Sequence, residues 1–130
     1  MTYPEFFGYA ASWDAPMFFD RFHYSMEQVY GTLEQLNAYR PDLLVSKQKK
    51  HFLKKARLVL MGEMDWGMSI PAPNGGSHTV GMQKLLEKEG VKYIFNNALK
   101  VPHRWNKQWM APTLEALIGL TKAKQIQMQL

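Results

Sequence analysis

The chain has 130 residues, 46% of them hydrophobic and 21% charged, and it contains no cysteine. That size and balance fit one folded domain with its own core. The missing thiols exclude a disulfide scaffold, thiolate zinc sites, iron–sulfur ligation and a cysteine nucleophile. The net charge of +5 is unevenly placed. Residues 1–45 set Arg21 and Arg40 against Glu5, Asp14, Asp20, Glu27, Glu34 and Asp42, whereas the remaining 85 residues hold 14 basic and five acidic side chains. A chain polarised in this way is drawn by its basic part to RNA, phospholipid or acidic protein.

Residues 1–13 combine Tyr3, Phe6, Phe7, Tyr9 and Trp13 with Gly8 and show no helical or strand period, which predicts an irregular N-terminal arm. Asp14 as cap and Pro16 in the first turn open a helix over 15–39. Its Phe18, Phe22, Met26, Val29, Leu33 and Leu36 recur at three- and four-residue steps, and Arg40-Pro41 ends it. A second helix is predicted over 43–61. Val45, Phe52, Ala56, Val59 and Leu60 form one face, Lys47, Lys50, Lys54 and Arg57 the opposite one, and Gly62 lies just past the end. Residues 63–76 read as a loop, within which Met64, Trp66, Met68 and Ile70 alternate as a short strand would.

A third helix is expected over 78–89, capped by Ser77 or Thr79 and closed by Gly90. Val91, Tyr93 and Phe95 then alternate with Lys92, Ile94 and Asn96, which leaves strand and irregular chain as equal alternatives. Pro112 suits the first turn of a last helix over 112–126. Four helices with aromatic-rich irregular arms and at most one short strand pair define an all-α fold class, with residues 1–130 as a single domain. The opening residues lack a basic region followed by an apolar stretch, and no run approaches the roughly 18 apolar residues of a spanning helix. The expectation is therefore a domain neither exported by a cleavable signal nor transmembrane.

The histidines His23, His51, His78 and His103 are far apart in sequence. Asp20, His23 and Glu27 share one stripe of the first predicted helix, but that stripe lies opposite the apolar arc, where a solvated face belongs. The loop Asn74-Gly75-Gly76-Ser77-His78-Thr79 has an anion-binding rationale yet lacks the lysine-serine ending of a phosphate loop and the spacing of a dinucleotide fingerprint. It reads as a turn leading into a serine cap. No catalytic residue, metal site or cofactor is assigned. A small enzyme built on His23, Asp20 or Glu27 needs a pocket of which the sequence gives no sign.

Two groups of residues carry the functional expectation. Lys47, Lys50, Lys54, Arg57, Arg104 and Lys107 are candidate contacts to an anionic surface, and Phe6, Phe7, Trp13, Trp105 and Trp109 are candidate interface anchors. They point to a non-catalytic structural or accessory subunit of a larger multi-protein assembly. The alternative is a small nucleic-acid-binding module, in which the cations meet phosphates and Trp105 or Trp109 stacks on bases. The expected partners are other protein subunits, with nucleic acid or anionic lipid as alternatives and no small-molecule substrate. The expected location is intracellular: a basic chain without cysteine leans to mitochondria, ahead of a virion or the bacterial cytoplasm.

Overall fold

Leu58-Val59-Leu60-Met61 is apolar at four successive positions, a pattern that suits a strand covered on both faces. In the computed structural model, which describes residues 2–13, 26–62, 78–99 and 107–127, this run is the strand β2 (Leu58–Met61), and all four residues are buried. Two further strands flank it, β1 (Ala10–Trp13) and β3 (Tyr93–Asn96), in the order β1-β2-β3. Both pairings are parallel, with Ala10 and Tyr93 in register with Leu58, and Trp13 and Asn96 in register with Met61.

Parallel neighbours require long crossovers, and helices supply them here. Between β1 and β2 run α1 (Met26–Tyr30), α2 (Leu33–Asn37) and α3 (Pro41–Gln48), then a single 3-10 turn over Lys49–His51. The helix α4 (His78–Lys88) joins β2 to β3, and α5 (Lys107–Gln127) follows β3. The two-residue alternation of the strands sorts the core into two clusters. Leu58, Leu60, Tyr93 and Phe95 pack with Val45 of α3, with Phe52, and with Met82, Leu85 and Leu86 of α4. On the other face Val59, Met61, Ala11, Trp13 and Ile94 meet Trp109, Ala116, Leu117 and Leu120 of α5. The result is a three-layer α/β sandwich.

This architecture overturns the all-α expectation, and the reasons are local. The second predicted helix stops at Gln48 rather than continuing to 61. Pairing of Leu58–Met61 with two distant segments satisfies its backbone groups as a helix would, but it also buries all four side chains, which a one-sided helix over 43–61 would not do. The arm predicted as irregular over 1–13 gives up its last four residues to β1. Residues 93–96 are strand, which decides between the two alternatives left by their alternation.

The described part of the first predicted helix is divided at Gly31, whose φ is 71°. Thr32 restarts the chain as a capping box: its hydroxyl accepts from the Gln35 amide at 3.2 Å, and Gln35 Oε1 accepts from the Thr32 amide at 3.1 Å. The third helix stands where expected. Thr79 is not its cap but lies inside it, buried, with a hydroxyl that has no hydrogen-bond partner. Gly90, at φ 69°, closes it, as the amides of Gly90 and Val91 donate to the carbonyls of Glu87 and Leu86 at 3.0 and 2.9 Å. The last helix begins at Lys107, five residues before the expected 112, which places Pro112 inside it. Residues 15–25 of the first predicted helix and the loop 63–76 lie outside the described residues. Among the described residues no helix is long and apolar enough to cross a membrane.

The ends of α3 and α4 are tied together by Glu89, which accepts from Ser46 Oγ at 2.7 Å and from Lys49 Nζ at 2.9 Å. The hydrogen bond from Ser46 first, and that from Lys49 second, hold the Glu89 carboxyl below its ordinary range. A carboxyl depressed in the folded state adds stability above its unfolded pKa and loses it as pH falls through the folded one. Urea denaturation of wild type and Glu89→Gln is therefore expected to show a stability difference that is flat above about pH 5 and shrinks with acidification below about pH 4. Leu86 is fully buried between α4 and the sheet, so Leu86→Ala is expected to cost about 2–5 kcal/mol in the same assay at neutral pH.

Candidate docking surface

Because the three strands are parallel, their amino ends lie along one edge of the sheet, and the segments 2–9, 49–57 and 89–92 that lead into them meet there. Arg57 organises this edge. Its Nε donates to the Gly8 carbonyl at 2.6 Å, and its Nη2 donates to the carbonyls of Pro4 and Phe7, both at 2.6 Å. Nη1 donates to the His51 carbonyl at 3.1 Å, and the guanidinium carbon lies 5.2 Å from the centre of the Phe52 ring. Bonds of this charge-assisted kind are roughly twice as strong as neutral ones. The arm closes on itself as well, since the amides of Phe6 and Phe7 both donate to the Tyr3 carbonyl at 3.2 Å.

The backbone of the arm is fixed while its rings face outward. Phe6 is 81% exposed, Phe7 69% and Tyr3 58%. Leu53, on the neighbouring segment, is also exposed. An unanchored chain would be free to fold these rings down against the domain, and ordering it on a partner would carry an entropic cost. Here the clamp has already met that cost.

Lysines line the segments next to the arm. Lys55 Nζ lies 3.3 Å from the Tyr9 hydroxyl and 5.2 Å from that ring's centre, and Lys92 Nζ donates to the Lys54 carbonyl at 3.3 Å. Lys50 and Lys54 are exposed on the same segment as Lys55. The three segments together carry six cationic side chains (Lys49, Lys50, Lys54, Lys55, Arg57, Lys92) and two carboxylates, Glu5 and Glu89. Glu89 is the partner of Lys49. The edge thus offers apolar tips within a positive field, the chemistry of docking onto an anionic surface with apolar depth.

The structure redistributes the residues singled out by sequence. Phe6, Phe7, Lys50 and Lys54 all lie exposed on the segments that lead into the amino ends of the strands. Lys47 is exposed on the last turn of α3, so the lysines do not form one helical face: the helix ends before Lys50 and Lys54. Arg57 is withdrawn from the anion-binding set, because its donors are engaged by four backbone carbonyls. Trp109 is 2% exposed in the core beneath α5 and serves neither a partner nor a base. Trp13 is half-buried in the same cluster. Lys107 is exposed at the start of α5.

Arg104 and Trp105 lie outside the described residues, as do Asp20, His23, His103 and positions 74–77 of the glycine-rich loop. Among the described residues no group of three or more histidines and carboxylates is placed to hold a metal ion. Tyr3, Leu53, Lys55 and Lys92 complete the surface without having been marked in the sequence. Their proximity follows from strand pairing, which no local pattern reports. Elsewhere, an apolar recess of about 280 Å³ lies where β1 presents only Ala10 and Ser12 towards Tyr39, Leu44, Leu60 and Met82. Among the described residues its lining carries hydroxyls but no charged group.

Arg57→Lys keeps the charge but not the fork of donors, and a point-like ammonium cannot reach four carbonyls. The expected outcome is a loss of about 1–3 kcal/mol in stability. Hydrogen exchange at the Phe6 and Phe7 amides should quicken by at least ten-fold while β2 amides change less, as measured by exchange mass spectrometry or NMR. Compared with known proteins, the chain matches no family model, no curated protein and no solved structure.

Proposed function

We propose that this chain is a non-catalytic accessory subunit that docks onto a larger assembly through its aromatic and basic edge. The observation that carries this reading is the Arg57 clamp, which holds Phe6 and Phe7 outward on an ordered backbone. Rigid aromatic side chains bind with little loss of conformational freedom and dominate interface energetics where they occur. A second apolar strip supports the same reading from another side of the domain. Met110, Leu114 and Ile118 follow one another at four-residue steps along the outer face of α5 and are all exposed. The nucleic-acid alternative draws less support, because Arg57 is engaged within the domain and Trp109 is buried.

The test is the size of the native particle. Wild-type protein purified from its source in moderate salt is expected to elute within a large complex by size-exclusion chromatography with light scattering, and nuclease treatment should not change it. Phe6→Ser/Phe7→Ser is expected to retain its own fold by circular dichroism, since both rings are exposed, and to shift at least ten-fold towards the free 15.1 kDa chain. A double variant that stays in the complex would contradict the reading.

A further inference from the structure

We infer that the surface met by this edge is an anionic phospholipid interface, with Phe6, Phe7 and Leu53 seated at the boundary of the acyl chains and Lys50, Lys54, Lys55 and Lys92 against headgroup phosphates. The inference rests on the docking reading above and sets that assembly at a membrane, whose lipid is what the edge meets. Three observations favour lipid over a shaped protein pocket or a base-reading nucleic-acid site. The apolar tips carry no hydrogen-bonding group and stand proud of the surface, with Phe6 at 81% and Phe7 at 69% exposure. They suit a soft apolar layer, where depth matters and shape complementarity does not.

The second observation concerns the polar groups. Segments 2–9, 49–57 and 89–92 contain no Asn, Gln or Ser, and their one arginine is engaged by backbone carbonyls. The amide and guanidinium forks that read base edges are therefore missing from this edge. What it offers instead is a set of flexible lysine ammoniums, which attract diffuse negative charge without fixing its geometry. The third is the pair Tyr3 and Tyr9, whose rings end in hydroxyls and match the mixed apolar and wet character of the headgroup layer. Glu5 is the single carboxylate on the arm and opposes the attraction. Because Arg57 orders the arm beforehand, insertion of the phenylalanines orders little further chain.

The experiment is sedimentation of the full chain with sucrose-loaded vesicles of phosphatidylcholine, alone or with about 30% phosphatidylserine. Wild type is expected to bind the mixed vesicles, to bind pure phosphatidylcholine far less, and to be released as salt rises. Phe6→Ser/Phe7→Ser should lower binding by ten-fold or more, and Lys54→Glu/Lys55→Glu by at least about 25-fold, at roughly five-fold per lysine lost. Glu5→Lys should raise binding about five-fold on the mixed vesicles only, a gain that damage to the fold cannot mimic. Val29→Ser, at an exposed apolar position of α1, should leave binding unchanged. Equal binding to both vesicle types, or no binding at all, would overturn the lipid assignment. Absence of vesicle binding, with release of Phe6→Ser/Phe7→Ser from the native complex, would leave the docking reading standing on a protein partner. Retention of the double variant in that complex would remove the docking reading itself. Tight binding of a single-stranded oligonucleotide without vesicle binding would assign the edge to nucleic acid and overturn the inference.

Discussion

Strand β2 is hydrogen-bonded on both sides and covered on both faces, and the rest of the domain is organised around that double demand. Its neighbours β1 and β3 are joined only through it. Leu58 and Leu60 belong to the cluster under α3 and α4, while Val59 and Met61 belong to the cluster under α5. Four consecutive residues therefore couple two cores, each of which gains about 1.5–3 kcal/mol per large side chain fully buried. The same strand sets the path of the chain at either end. Its last register pair passes to Gly62, whose amide donates to the Asn96 carbonyl at 2.8 Å while a φ of 83° turns the chain away.

At its other end the strand fixes Arg57. The Arg57 carbonyl accepts the Ala10 amide at 2.9 Å, the first rung between β2 and β1, and so the side chain departs from a position that the sheet has already set. The clamp on the aromatic arm is thus a consequence of sheet pairing. In open parallel sheets ligands commonly bind beyond the carboxyl ends of the strands. In this chain those ends lead into residues 14–25, 63–77 and 100–106, outside the described residues, and the organised chemistry in view lies at the amino ends. That chemistry is an outward-facing mixture of rings and ammoniums.

Several features were legible in the sequence because their signals are local. Gly90 closing α4, the extent of α4 itself and the phenylalanines of the arm as outward anchors all follow from neighbours a few residues apart. The parallel sheet was not legible in the same way. Each strand is only four residues long, too short for alternation to outweigh a competing helical period, and the pairing partners of β2 lie 48 residues before it and 35 after it. A continuous apolar run such as 58–61 satisfies a buried strand and one side of a helix equally well until its length and its partners are known. The site shared this fate. Lys50 and Lys54 could be marked as cations and Phe6 and Phe7 as anchors, but their juxtaposition depends on β1 beside β2, and the part played by Arg57 depends on the arm folding back to it. Trp109, marked by its residue type, lies in the core because α5 starts earlier than Pro112 indicated.

The central claim is that the arm is an ordered part of the domain before it meets anything. Backbone amide relaxation by NMR on the free protein tests it most directly. The account predicts order parameters for Phe6 and Phe7 near those of β2, at about 0.85. Values below about 0.6 at these two amides, with the sheet remaining rigid, would mean that the clamp does not hold in solution, and would contradict the account.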